Sequence, residues 1–302
     1  MTLQQLRDFL VVIEHGSFRA AARHQNVSQA GLTNSLKSLE ASLGNALLLR
    51  SGRGVQLTRA GELLRARALL ITAEAHRASA ELRALADDQQ GPIRVGFSPT
   101  PSALLLPQVV PDFLARFPRA ELRLVDGLFE RLMPAVRQGQ LDFAVLSLPE
   151  VGTGGDVRSQ VLMKTAMAVV GRRGHPLAGT RHIKELENQS WILMGPPGAP
   201  GGTVVRFFSE TGLNPPNISV VCDSFTQVSA LMYGSDDLAL MPRLALERGL
   251  LGQHLVEIPV RERARPQDIA LVHRIEVPLT PMAGALASML VSCARSFGQL
   301  KH

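Results

Sequence analysis

The sequence predicts an α/β protein in three stretches: an all-α unit carrying a small hairpin, one long helix, and two α/β subdomains. Three observations predict it. Apolar residues recur at three- and four-residue steps over residues 1–45. Residues 58–88 hold no proline, and their single glycine, Gly61, lies in the first turn. From Gly91-Pro92 onward, short apolar runs alternate with helical stretches. A chain of 302 residues exceeds one ordinary domain of about 100–200 residues. With 45% hydrophobic and 19% charged residues it can bury packed cores.

The first helix carries Leu3, Leu6, Phe9, Leu10 and Ile13 on one face, with Thr2 as its cap and His15-Gly16 as its break. Ser17 caps a second helix bearing Phe18, Ala21 and Ala22. After the turn Gln25-Asn26-Val27, Ser28 caps a third helix. It turns Leu32, Leu36 and Leu39 inward and leaves Gln29, Thr33, Asn34 and Lys37 on its polar side. Two short helices around a tight turn, the second with a polar face, form a helix-turn-helix pattern. Those side-chain types suit a duplex groove: Gln and Asn pair with adenine, Thr meets a thymine methyl, and Lys reaches phosphate or guanine. Leu47 to Leu57 then reads as strand, glycine turn and strand, with Arg50 and Arg53 on a basic hairpin suited to the DNA backbone or minor groove. Residues 1–60 hold seven basic and three acidic residues, so +4 of the chain's +6 sits in one-fifth of its length.

Thr58 opens the long helix, whose stripe of Leu63, Leu64, Leu70, Ile71, Ala78, Leu82 and Leu85 approaches a seven-residue repeat. The small unit cannot cover that stripe alone, so the helix is expected to pair with a second copy.

In the last stretch, Ile93–Phe97, Leu122–Val125 and Phe143–Leu146 read as strands, with helices at 102–116 and 129–138 between them. Further strands are expected at 166–170, 191–194, 218–222, 238–241, 255–258 and 269–274. The remaining helices fall at 202–211, 225–233, 242–248 and 282–299. Ligands of open α/β sheets sit beyond the carboxyl ends of the strands. That rule selects Ser98, Pro99 and Thr100 after the first strand, and the loop Ala199, Pro200, Gly201, Gly202 before another helix. It also selects Phe129, Ser147, Pro149, Phe225, Thr226 and Met241 as further lining. Helix-opening amides and hydroxyls favour an anion, and apolar walls favour a small aromatic or aliphatic carboxylate or sulfonate.

The runs Ser17-Phe18-Arg19-Ala20-Ala21-Ala22, Val27-Ser28-Gln29-Ala30-Gly31-Leu32-Thr33, Leu39-Glu40, Leu43-Gly44, Leu48-Leu49-Arg50 and Leu57-Thr58-Arg59-Ala60-Gly61 resemble the LysR-type transcriptional regulators. The resemblance implies a winged helix-turn-helix over 1–58, with Ser28, Gln29, Ala30, Thr33, Asn34, Lys37, Arg50 and Arg53 at the DNA. It further implies a linker and dimerisation helix over 59–90 and an effector-binding domain over 91–302. That domain would comprise two Rossmann-like subdomains resembling periplasmic binding proteins, I at about 91–162 plus 268–302 and II at about 163–267. The implied partners are a double-stranded operator, a small anionic effector, three further copies in a homotetramer, and RNA polymerase, as befits an activator. Where the family usually reads Ser-Gln-Pro-Ala-Leu-Ser, this chain has Ser28-Gln29-Ala30-Gly31-Leu32-Thr33, losing the proline that presets a first turn and gaining a glycine that weakens it.

Other readings are narrowed by what the residues provide. The start of the chain lacks the pattern of an export signal and no 18-residue apolar run occurs, so a cytoplasmic protein without membrane contact is expected. No nucleophile elbow, phosphate loop or zinc helix is present, so neither catalysis nor a metal or other cofactor is expected. Two alternatives stand beside the ligand-controlled regulator: a redox-responsive one using Cys222 and Cys293, and a solute-binding module without regulatory role.

Overall fold

The computed structural model describes residues 1–51, 54–85, 92–149, 152–196, 198, 200–247 and 253–299. The chain forms two compact units, one built on Met1–Asp88 and the other on Gln89–Arg137 with Leu141–His302.

In the first unit, α1 (Leu3–His15) starts on a reciprocal cap: Thr2 Oγ1 accepts the Gln5 N–H at 3.2 Å and Gln5 Oε1 accepts the Thr2 N–H at 2.8 Å. Gly16 stops it at φ 64°. Ser17 caps α2 (Phe18–Gln25), and Asn26, at φ 55°, supplies the left-handed turn that leads to α3 (Gln29–Leu43). The apolar faces of these helices meet in one core of Leu6, Phe9, Val12, Phe18, Leu32, Leu36, Leu39 and Leu47. The hairpin β1 (Leu48–Ser51) and β2 (Gly54–Leu57) pairs antiparallel, and the Val55 N–H donates to Gly16 O at 3.0 Å, fastening it to the α1–α2 turn. α4 (Arg59–Leu85) spans about 40 Å at the usual rise. Its first turns add Ala68 to the core, while Leu63, Ile71 and Leu82 stay 68%, 41% and 67% exposed.

The second unit has two lobes. In the first lobe, β3 (Pro92–Phe97) lies between β4 (Glu121–Asp126) and β5 (Phe143–Ser147), all parallel, with α5 (Pro99–Arg116) and α6 (Phe129–Arg137) as crossovers. β12 (Gln267–Arg274) adds antiparallel to β5, and β6 (Val157–Thr165) adds antiparallel to β12. Alternate strand residues feed two faces: Val95, Phe97 and Val145 pack on α5 and α10 (Pro281–Gln299), while Ala144, Leu146 and Ala270 pack on α6. Gly96 permits that second packing, since a Cβ there would lie 2.8 Å from both Leu132 and Leu141.

β6 is a strand the sequence pattern does not announce, because Arg158, Ser159, Gln160 and Val161 are exposed in succession, on both faces, with no alternation of apolar and polar. It carries the first lobe's sheet to Thr165, a little beyond the expected crossing near 162. The loop before it is tied by Arg137, which grips the Asp156 carboxylate and the Thr153 carbonyl. Hydrogen bonding from Arg137 holds the Asp156 carboxyl below its ordinary range.

In the second lobe, β7 (Met167–Arg172) is flanked antiparallel by β10 (Ala239–Pro242) and β11 (Leu255–Ile258). β8 (Ser190–Met194) runs parallel to β9 (Asn217–Cys222). α7 (Thr203–Glu210), α8 (Phe225–Gly234) and α9 (Arg243–Glu247) cover these strands, with Trp191 edge-on to Phe208 at 5.3 Å in the core.

Candidate nucleic-acid interface and ligand cleft

The polar side of α3 is open. Ser28 spends its hydroxyl as a cap, accepting the Gly31 N–H at 3.0 Å. Beyond it Gln29, Ala30, Asn34 and Lys37 are exposed and Thr33 is half-buried, while Leu32, Leu36 and Leu39 face the core. Side chains three and four apart share a helix face, so Gln29, Thr33 and Lys37 form one row. The back of α3 is braced by α1: the buried Asp8 carboxylate accepts the Ser35 hydroxyl and the Gln4 amide, and Gln5 donates to Ser38 at 3.2 Å. Arg50 lies on β1 opposite Val55. Arg53 falls outside the described residues.

In the second unit, Ser98, Pro99, Thr100, Phe129 and Ser147 from the first lobe come together with Pro200 from the second around a narrow cleft of about 20 Å³, room for a single water. The Ser98 N–H donates to Val145 O at 3.0 Å, and its hydroxyl accepts the Ser147 N–H at 3.2 Å, leaving the hydroxyl hydrogen to donate. The expected row of helix-opening amides is thinner than anticipated. Pro99 and Pro101 have no N–H, and that of Ser102 goes to Ser98 O, so α5 offers mainly Thr100. Pro149 and Gly202 line an adjoining groove of about 780 Å³ that shares Pro200 with the cleft. Gly201 lies in the short 3-10 helix Pro200–Gly202, and Ala199 lies outside the described residues.

Besides Pro149, Gly201 and Gly202, three expected lining residues lie outside the cleft, and these three lie outside the groove as well. Met241 is 1% exposed and points into the second lobe's core, because strand neighbours face opposite sides and Leu240 and Pro242 take the cleft side. Phe225 packs on that same core, and Thr226 sits on the exposed side of α8. In their place come Met167, Met194, Leu128 and Gln267. Gln267 is buried and its Nε2 donates to Pro200 O at 2.7 Å, stitching the start of β12 to the second lobe. A polar residue opening an apolar strand was the one available signal for it.

The two cysteines belong to different cores, Cys222 in the second lobe and Cys293 against the first. Burial pushes both thiols up, with the Asp223 charge adding to the effect at Cys222. Among the described residues no helix is long and apolar enough to cross a membrane.

Comparison with known proteins agrees with this division. The family model described as "Bacterial regulatory helix-turn-helix protein, lysR family" matches residues 3–62, and that described as "LysR substrate binding domain" matches residues 86–294. A "Probable hydrogen peroxide-inducible genes activator" of Mycobacterium xenopi is 36% identical over 184 residues, covering 60% of this chain and 95% of the relative. The regulator TdcA of Escherichia coli K12 is 25% identical over 298 residues, 97% of this chain and 92% of the relative. Among solved structures, CbnR, a LysR family transcriptional regulator, has a TM-score of 0.71 at 22% identity, covering 97% of this chain and 99% of that one. HinK of Pseudomonas aeruginosa has a TM-score of 0.55 at 26% identity, covering 99% of each chain. The chain belongs to the LysR family of bacterial transcriptional regulators, DNA-binding proteins with an effector-binding domain and not enzymes.

Proposed function

We propose that this regulator reads two operator half-sites through paired copies of α3 and answers a small, largely apolar ligand with one anionic head. The open row Gln29, Thr33 and Lys37 carries the DNA half of the reading, with Ser28, Ala30 and Asn34 beside it and Arg50 and Arg53 on the wing at the backbone. CbnR has been solved in complex with its target DNA, which lends support from a relative of the same fold. The exposed Leu63, Ile71 and Leu82 on α4 support dimerisation through that helix. Pairing of dimers into a tetramer and contact with RNA polymerase complete the proposal.

For the ligand, the cleft's donors are the hydroxyls of Ser98 and Thr100, the Thr100 amide and the Gln267 amide, against walls of Phe129, Leu128, Met167 and Leu240. Among the described residues its lining holds no Lys or Arg and one acid, Glu130, so a head with a single negative charge, held on the donor side away from Glu130, fits better than a polyanion. A cleft with room for one water supports a cycle in which the lobes part, admit the ligand and re-close around it. The closed and re-closed geometries would then differ in how dimers space themselves on DNA. Benzoate and benzenesulfonate titrated by calorimetry test the ligand reading. Binding of either is expected, weakened roughly ten- to hundredfold by Ser98→Ala, since a hydrogen bond to a charged group is worth about 1.5–3 kcal/mol. Silence with both probes would remove the aromatic-anion class.

The mycobacterial relative favours a second reading, peroxide sensing. That chemistry needs an accessible thiolate, and the burial that raises both thiols here weighs against it.

A further inference from the structure

We infer that the backbone at Leu47, the two peptides on either side of its Cα, is the joint that fixes how α4 leaves the reading unit, with Glu40, Thr58 and Gly61 as its positioning residues. Three elements meet on these two peptides. From the last turn of α3, Glu40 Oε1 accepts the Leu47 N–H at 2.7 Å and the Leu48 N–H at 3.2 Å. From the start of α4, the Thr58 N–H donates to Leu47 O at 3.0 Å. The Thr58 hydroxyl donates to Ala46 O at 2.7 Å and accepts the Gly61 N–H at 2.9 Å, capping α4 on the same strand entry. Gly61 closes the joint by what it lacks. A Cβ there would fall inside the van der Waals surface of Leu47 O and 2.9 Å from Leu57 Cδ2.

Two consecutive peptide planes are therefore held at both ends: in Ala46–Leu47 the carbonyl accepts the Thr58 hydroxyl and the N–H donates to Glu40, and in Leu47–Leu48 the carbonyl accepts the Thr58 N–H and the N–H donates to Glu40. The wing hangs from those planes too, since Leu47 leads directly into β1 and its side chain is 1% exposed in the core. Glu40 is one of only three acids in the basic first sixty residues, and its charge strengthens the two bonds it accepts. The leverage is large. Over about 40 Å of helix, a 10° change at the joint swings the far end by about 7 Å. Once two α4 helices pair, the same angle displaces the two α3 helices, whose half-sites lie about 34 Å apart on DNA. The inference rests on the dimer through α4 proposed above.

Full-length protein and five variants decide it, using sedimentation for assembly and selection from a random duplex pool in which two half-sites are separated by spacers of graded length. Wild type is expected to sediment as a multimer and to select one spacing. Glu40→Gln and Thr58→Ser keep the acceptor and the hydroxyl, so they are expected to keep that spacing. Glu40→Ala, Thr58→Val and Gly61→Ala are expected to hold a single selected half-site within about threefold of wild type. Their discrimination between the best spacing and its neighbours should fall about tenfold. Should Gly61→Ala fail to fold, the other pairs decide alone. Unchanged spacing in Glu40→Ala and Thr58→Val overturns the inference, and so does a loss of half-site affinity as large as the loss of spacing. A monomeric wild type removes the dimer reading and this inference with it, whereas a multimer indifferent to the joint removes only the inference.

Discussion

Phe9→Ala is expected to unfold the first unit and abolish operator binding while the second unit melts as in wild type. Phe9 is fully buried at the centre of a core drawn wholly from Met1–Asp88, touching the inward faces that hold α1, α2 and α3 together. Truncating a buried phenylalanine costs about 3–5 kcal/mol, transfer and cavity terms combined. A unit this small has a total stability of only about 5 kcal/mol, so little would remain. Separate melts monitored by circular dichroism and by binding of DNA check the result. Equal destabilisation of both units would show that they do not fold on separate cores.

A comparable loss is expected from the double substitution Ile71→Asp with Leu82→Asp, but by a different route. Both side chains are exposed along α4, so the fold of one chain loses little from their removal. If two α4 helices pair, each aspartate enters an apolar seam, and burying an unpaired charge costs several kcal/mol per site. Sedimentation should then report monomers. Affinity for a two-half-site operator should fall by at least about a hundredfold, towards that of one reading head. A variant that remains dimeric would move the association elsewhere.

The first unit was legible almost residue by residue, because its boundaries are written in local chemistry. Thr2, Ser17 and Ser28 each cap a helix, Gly16 and Gly44 end two of them in the left-handed region, and the inward leucines keep a helical period. The second unit was legible in element order but less so at its cleft. β6 escaped because it is held by pairing with β12, and a strand exposed at a sheet edge carries no alternation to read. Proximity to a strand end suggests Met241 for the cleft, but the phase of that strand turns it into the core. Gln267 escaped for the opposite reason: its importance comes from a partner, Pro200, 67 residues away. The prolines flanking Thr100 show the same limit. They were visible, yet the count of amides left to bind a ligand follows only once the helix start is fixed at Pro99.

The affinity ratio of operator to random duplex, measured across salt concentration for wild type and Gln29→Ala, tests most directly whether α3's outward row reads sequence. The ratio should drop roughly fivefold to a hundredfold, the worth of one bidentate base contact, with the salt slope unchanged because no phosphate contact is lost. A variant that keeps the full ratio, or that loses operator and random DNA alike, would mean that bases are read by some other surface.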